Sequence, residues 1–115
     1  MKKIYVMYKD ELISKIEYDY SLDKVTVENY IDEPVLLPFG INTSPKIEDL
    51  EYYLESRCFP RDRVNCKELL KLLDVQCYDP MAIVRKTHGI QNEDYCWLKF
   101  GDDDRTVYED VKFRD

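Results

Sequence analysis

Four cysteines, one histidine and a run of carboxylates are the residues of this chain with chemistry to offer. Cys58, Cys66, Cys77 and Cys96 nowhere form a CxxC, and His88 is the only imidazole. Structural zinc takes four ligands, usually supplied as closely spaced pairs, and that spacing is missing. The thiols are therefore expected to stay reduced and to act as small apolar side chains. A nucleophilic cysteine needs a base within hydrogen-bond reach, for which His88 is the sole imidazole. That histidine follows a predicted helix, where the dipole favours a cation for structural reasons alone. Asp102-Asp103-Asp104 with Glu109 and Asp110 is the densest carboxylate group, but it lacks the spacing of a calcium loop and reads as a solvated hairpin tip. Gly40, Gly89 and Gly101 stand too far apart to cradle a phosphate. The expectation is a protein that is not an enzyme and holds neither cofactor nor metal.

The elements around these residues must come from one small domain. The chain has 115 residues, 44% of them hydrophobic and 36% charged, enough apolar content for a core without disulfides. Its net charge of -7 argues against direct nucleic-acid binding, which needs positive charge to displace counterions. No apolar run approaches a membrane span, and Met1-Lys2-Lys3 leads into alternation rather than a signal-peptide core. A cytoplasmic protein with no membrane contact is expected.

Residues 1–40 read as strands. Lys3 to Tyr8 and Leu12 to Tyr18 are rich in β-formers, and Lys24 to Tyr30 alternates with period two, Val25 and Val27 on one face and Thr26 and Glu28 on the other. Val35 to Gly40 predicts an edge segment or a buried turn. Residues 44–89 read as helical. Ser44-Pro45 offers an N-cap and a first-turn proline, and Ile47, Leu50, Tyr53 and Leu54 form one apolar stripe. Pro60 closes that unit. A second helix is predicted from about Arg61 to Leu73, with Leu69, Leu70, Leu72 and Leu73 as its apolar wall. Asp79-Pro80 opens a third, ended by Gly89. Residues 94–113 return to strand: Tyr95 to Phe100, then Thr106 to Tyr108 and Val111 to Phe113 behind a polar turn. The expected fold is α+β, a small and mostly antiparallel sheet of N-terminal and C-terminal strands packed with about three helices.

Ten tyrosines bring aromatics to 13% of the chain, and tyrosine is enriched where proteins grip other proteins. Tyr18, Tyr20 and Tyr30 on the strands, with Tyr52 and Tyr53 on the first helix, cannot all face so small a core. Arg57, Arg61, Arg63, Lys67 and Lys71 form a basic run inside an acidic molecule, the pattern of a solvated face or of a docking patch for an acidic partner. Residues 1–40 carry 5 basic and 8 acidic side chains, and residues 91–115 carry 4 and 8, so the two ends hold the negative charge.

The order of several short segments resembles a known family. Strands at Ile4–Tyr8 and Leu12–Tyr18 lead to Val35-Leu36-Leu37-Pro38-Phe39. Then come Leu54-Glu55-Ser56-Arg57-Cys58-Phe59-Pro60-Arg61-Asp62-Arg63, Tyr78-Asp79-Pro80-Met81-Ala82-Ile83-Val84 and a strand from Tyr95 to Phe100. Over roughly residues 1–100 this is similar to the N-terminal subdomain of HipA-type serine/threonine toxin kinases, and to small free-standing proteins that accompany such kinases in Gram-positive bacteria and mobile elements. The kinase lobes are absent, so the resemblance implies no phosphoryl transfer and carries no active-site residue. It implies a regulatory or antitoxin subunit that binds a kinase chain and restrains it; the basic run Arg57, Arg61, Arg63 and Lys67, with Tyr52, is the candidate contact. The alternative is an inhibitor encoded by a phage or mobile element. It would occupy the basic groove of a host nucleic-acid enzyme such as a CRISPR effector, with Asp102, Asp103 and Asp104 among its contacts.

Overall fold

The first three strands form as expected, two from runs of β-formers and the third from alternation: β1 (Lys2–Tyr8), β2 (Glu11–Asp19) and β3 (Lys24–Asn29). The computed structural model describes residues 2–59, 61–62, 64–90 and 95–111. Three helices follow, α1 (Ile47–Ser56), α2 (Cys66–Leu72) and α3 (Pro80–Thr87), then β4 (Cys96–Phe100) and a short α4 (Tyr108–Val111). The architecture is α+β, with one antiparallel sheet in the order β3-β2-β1-β4.

One face of the sheet is the core. Ile4, Val6, Ile16, Tyr18, Val25 and Leu98 line it, and Leu50 and Leu54 of α1 with Ile83 and Val84 of α3 pack over them. Burying each such aliphatic side chain contributes about 1.5–3 kcal/mol. A bulge refines the register: Val6 pairs with Ser14 but Met7 with Leu12, so Ile13 is the extra residue. Ile13 and Ser14 are consequently both buried, and the Ser14 hydroxyl donates to Asn29 Oδ1 at 2.6 Å. The other face is polar where Lys15 meets Glu17 and Glu28, each at 3.3 Å.

The chain departs from the sequence expectation in four places. Pro34–Leu36 forms a 3-10 turn whose residues are not buried. α1 starts later than Ser44-Pro45 suggests: its N-cap is Lys46, whose backbone N–H donates to the Asp49 carboxylate at 2.8 Å, and Pro45 is buried ahead of it. α2 begins at Cys66 rather than near residue 61. The strands expected after Phe100 do not form among the described residues. Asp104 captures the backbone N–H of Phe100 at 2.8 Å and of Thr106 at 3.0 Å, turning the chain away from the sheet. Asp110 then accepts from Val107 N–H at 3.1 Å and opens α4 where Tyr108 was expected in a strand. Lys112 and Phe113 of that expectation lie outside the described residues, as does Pro60.

Candidate functional site

The residues with chemical potential are mostly engaged in structure. Cys58 is buried, and its thiol donates to the Leu54 carbonyl at 3.2 Å. Burial pushes that thiol up to about 12, with Glu55 and Asp79 adding to the effect, so it stays protonated and a poor nucleophile. All four cysteines are free; Cys96 is buried, Cys66 half-buried and Cys77 exposed. Among the described residues, no three His, Cys, Asp or Glu side chains converge on a metal-sized space. A groove of about 530 Å³ beside Tyr18, Tyr20 and Met81 has Lys2 and Arg85 on its wall but no histidine or cysteine.

His88, Arg57 and Asp104 share one task that their sequence positions do not reveal. β4 is an edge strand, and the backbone groups on its outer side need partners. His88, at φ 57° after the last turn of α3, accepts from Leu98 N–H through its carbonyl at 2.7 Å, while its Nδ1 lies 2.8 Å from the Leu98 carbonyl. Nδ1 therefore carries the proton. Arg57 reaches over from α1 and donates to the Cys96 carbonyl at 2.7 Å and to the Gly89 carbonyl at 3.0 Å. Asp104 accepts from Phe100 N–H. The edge is closed from Cys96 to Phe100 by three side chains and the carbonyl at a helix end.

Asp104 shows the electrostatic consequence. Burial pushes its carboxyl up, but Thr106 and the Phe100 and Thr106 backbone donors, with His88 nearby, outweigh that and hold it below the usual carboxylate range. Gly89 completes the arrangement. Its φ is +66°, and a Cβ there would lie 3.3 Å from Arg57 Cβ and 3.2 Å from Leu98 Cδ1. His88, in the left-handed conformation, caps α3 one residue before the expected Gly89, and the glycine leaves room for Arg57 to pass.

The contact residues expected from the sequence thus divide. Arg57 and Asp104 are turned toward β4 and do not form part of an open patch. Asp102 is engaged by the Tyr5 hydroxyl and by Lys3 at 3.3 Å, which hold its carboxyl below the usual range. Asp103 is exposed. Arg61 lies 3.8 Å from Glu55 and stacks 4.6 Å over the Tyr78 ring, whose hydroxyl donates to the Phe59 carbonyl at 2.6 Å. Lys67 is exposed on α2, and Arg63 lies outside the described residues. Tyr52 is 78% exposed on the outer face of α1, with Glu48, Glu51 and Glu55 at neighbouring helical positions.

The feature missed in the sequence is the state of α2. Its leucines were expected to form a core wall, yet none of its residues is buried. Leu70 and Leu73 lean on the core, while Leu69 is half-buried and Leu72 is 82% exposed; Val64, ahead of the helix, is fully exposed as well. The signal was present: Leu69-Leu70 and Leu72-Leu73 put apolar side chains on two adjoining stripes of a short helix, and one surface of contact covers only one stripe. Lys67, Glu68 and Lys71 are the exposed charged residues of the same helix, with Glu68 one turn from Leu72.

Comparison with known protein families, with curated proteins and with solved structures found no match to this chain. Among the described residues no helix is long and apolar enough to cross a membrane.

Proposed function

We propose that this chain is a non-catalytic interaction module that docks on a partner kinase of the HipA type and restrains it, as the sequence resemblance implies. One observation supports the reading: α2 buries none of its residues and presents Leu72 to solvent, Val64 ahead of the helix is fully exposed, and Lys67 and Lys71 are exposed on the same helix. A partner that covers these residues gains about 1.5–3 kcal/mol for each aliphatic side chain it buries. The cations favour an acidic rim on that partner and fix the docking orientation. Restraint follows if the module binds the inactive kinase conformation more tightly than the active one. Co-expression of the tagged chain with a kinase of the HipA type tests this. The wild type should retain the kinase and lower its autophosphorylation, and Leu72→Asp should lose both while remaining folded. A kinase indifferent to the wild-type chain would end the proposal.

A second reading is favoured by the acidic outer face of α1, where Glu48, Glu51 and Glu55 surround Tyr52. Such a surface suits an inhibitor that stands in for phosphates in a nucleic-acid groove. Binding of that kind weakens steeply with salt and competes with DNA or RNA; docking through α2 does neither to the same degree.

A further inference from the structure

The two edges of the sheet are treated in opposite ways. β4 is closed by Arg57, His88 and Asp104, as described. At the other edge, the registers determine which backbone groups of β3 face outward. Gly101 N–H donates to Lys3 O and Lys9 N–H to Tyr95 O, so the odd-numbered residues of β1 bond β4 and the even-numbered ones bond β2. Carried through the β1–β2 and β2–β3 pairings, this parity leaves the N–H and C=O groups of Val25, Val27 and Asn29 pointing away from the sheet. Among the described residues no hydrogen bond reaches those backbone groups. β3 also has no proline and no bulge, two of the usual devices that blunt an edge. A groove of about 450 Å³ runs along Asp23–Thr26, with Pro45, Lys46 and Glu48 as its far wall.

We propose that β3 is a dimerisation edge, on which a second copy of this chain adds its own β3 antiparallel across a two-fold axis. The sequence of the strand is self-complementary in one register. Outward-facing residues must oppose outward-facing residues, which requires odd against odd. Setting Thr26 opposite its own copy satisfies this and places Val25 against Val27 of the second copy, on the core side of both sheets. It also sets Lys24 against Glu28 of the second copy, twice, at the pair type where side chains approach most closely. Lys24 makes no ion pair within its own chain among the described residues, and both side chains lie on the solvent face. Centring on Val25 or Val27 satisfies the same parity but forms no pair of opposite charges. The favoured register further brings Leu22 and Tyr30 to the two ends of the seam, where they are 60% and 45% exposed. A seam of one strand is small, so the association is expected to be weak and reversible. It is separate from the α2 surface and does not depend on it.

Sedimentation equilibrium of the full chain, from low micromolar to submillimolar concentration, tests the proposal. The wild type should pass from monomer to dimer. Lys24→Glu should weaken association about tenfold or more by opposing like charges at two places. The double swap Lys24→Glu/Glu28→Lys should restore it. Val27→Pro removes an outward N–H and no bond of the β2–β3 ladder, so it should yield a folded monomer, checked by circular dichroism. A wild type that stays monomeric throughout overturns the proposal. So does a dimer unmoved by Lys24→Glu and Val27→Pro, or a folded double swap that fails to associate.

Discussion

Arg57 offers the sharpest test of the division between structural and contact residues. It sits at the end of α1, half-buried, and donates to the carbonyls of Gly89 and Cys96 at 3.0 and 2.7 Å. Arg57→Ala strips both carbonyls of a charged donor. Such bonds contribute about 1.5–3 kcal/mol each when shielded, and because water reaches the half-exposed group the two together are discounted to about 2–3 kcal/mol. For 115 residues, an unfolding entropy of about 2.1 cal/mol/K per residue turns each kcal/mol into roughly 4 °C, so Tm should fall by about 8–12 °C. Arg57→Lys keeps the charge but cannot span both carbonyls, and should recover about half of the loss. Lys67→Ala, at an exposed site, should stay within about 0.5 kcal/mol of wild type. Urea unfolding of the three variants in isolation decides the matter. If Arg57→Ala proves as stable as Lys67→Ala, the guanidinium does not close the β4 edge and returns to the list of contact residues.

Gly89→Ala should cost about 1–3 kcal/mol in the same assay, since a Cβ at φ +66° is strained and meets Leu98 and Arg57 at 3.2 and 3.3 Å. An aromatic disulfide reagent at neutral pH should modify exposed Cys77 first and leave buried Cys58 untouched until the chain unfolds. Cys58 also sets an alkaline limit. Its thiol is raised in the fold from the ordinary 9.0 to about 12, so the folded state keeps a proton that the unfolded state loses. The stability this provides is intact below pH 9 and declines as pH rises toward 12; Cys58→Ala should flatten that slope relative to wild type. Asp104 acts in the opposite direction. Its lowered carboxyl stabilises the fold above the ordinary carboxylate range, and that contribution is lost as pH falls through it, a loss that Asp104→Asn should show already at neutral pH.

The four strands that form and the start of α3 were legible because their signals are local. Alternation in Lys24–Asn29, β-formers in Lys2–Tyr8 and Cys96–Phe100, and the Asp79-Pro80 start of α3 all act within a few residues. What failed depended on distant placement or on side chains competing with the backbone. Thr106 to Tyr108 has strand-like residues, but Asp104 and Asp110 capture the N–H groups that a ladder would need. The basic run looked like one surface, yet Arg57 is drawn to β4, 39 residues away in sequence from the Cys96 carbonyl it meets. The leucines of α2 read as core because composition records apolar content and not the area available to cover it.

The proposed docking through α2 is tested most directly by hydrogen–deuterium exchange of the chain, alone and with a kinase of the HipA type. Alone, α2 should exchange faster than α1 and α3, which bury Leu50, Leu54, Ile83 and Val84. With the kinase, protection should rise over residues 64–73 and be lost in Leu72→Asp. Protection confined to other elements, or none anywhere, would contradict it.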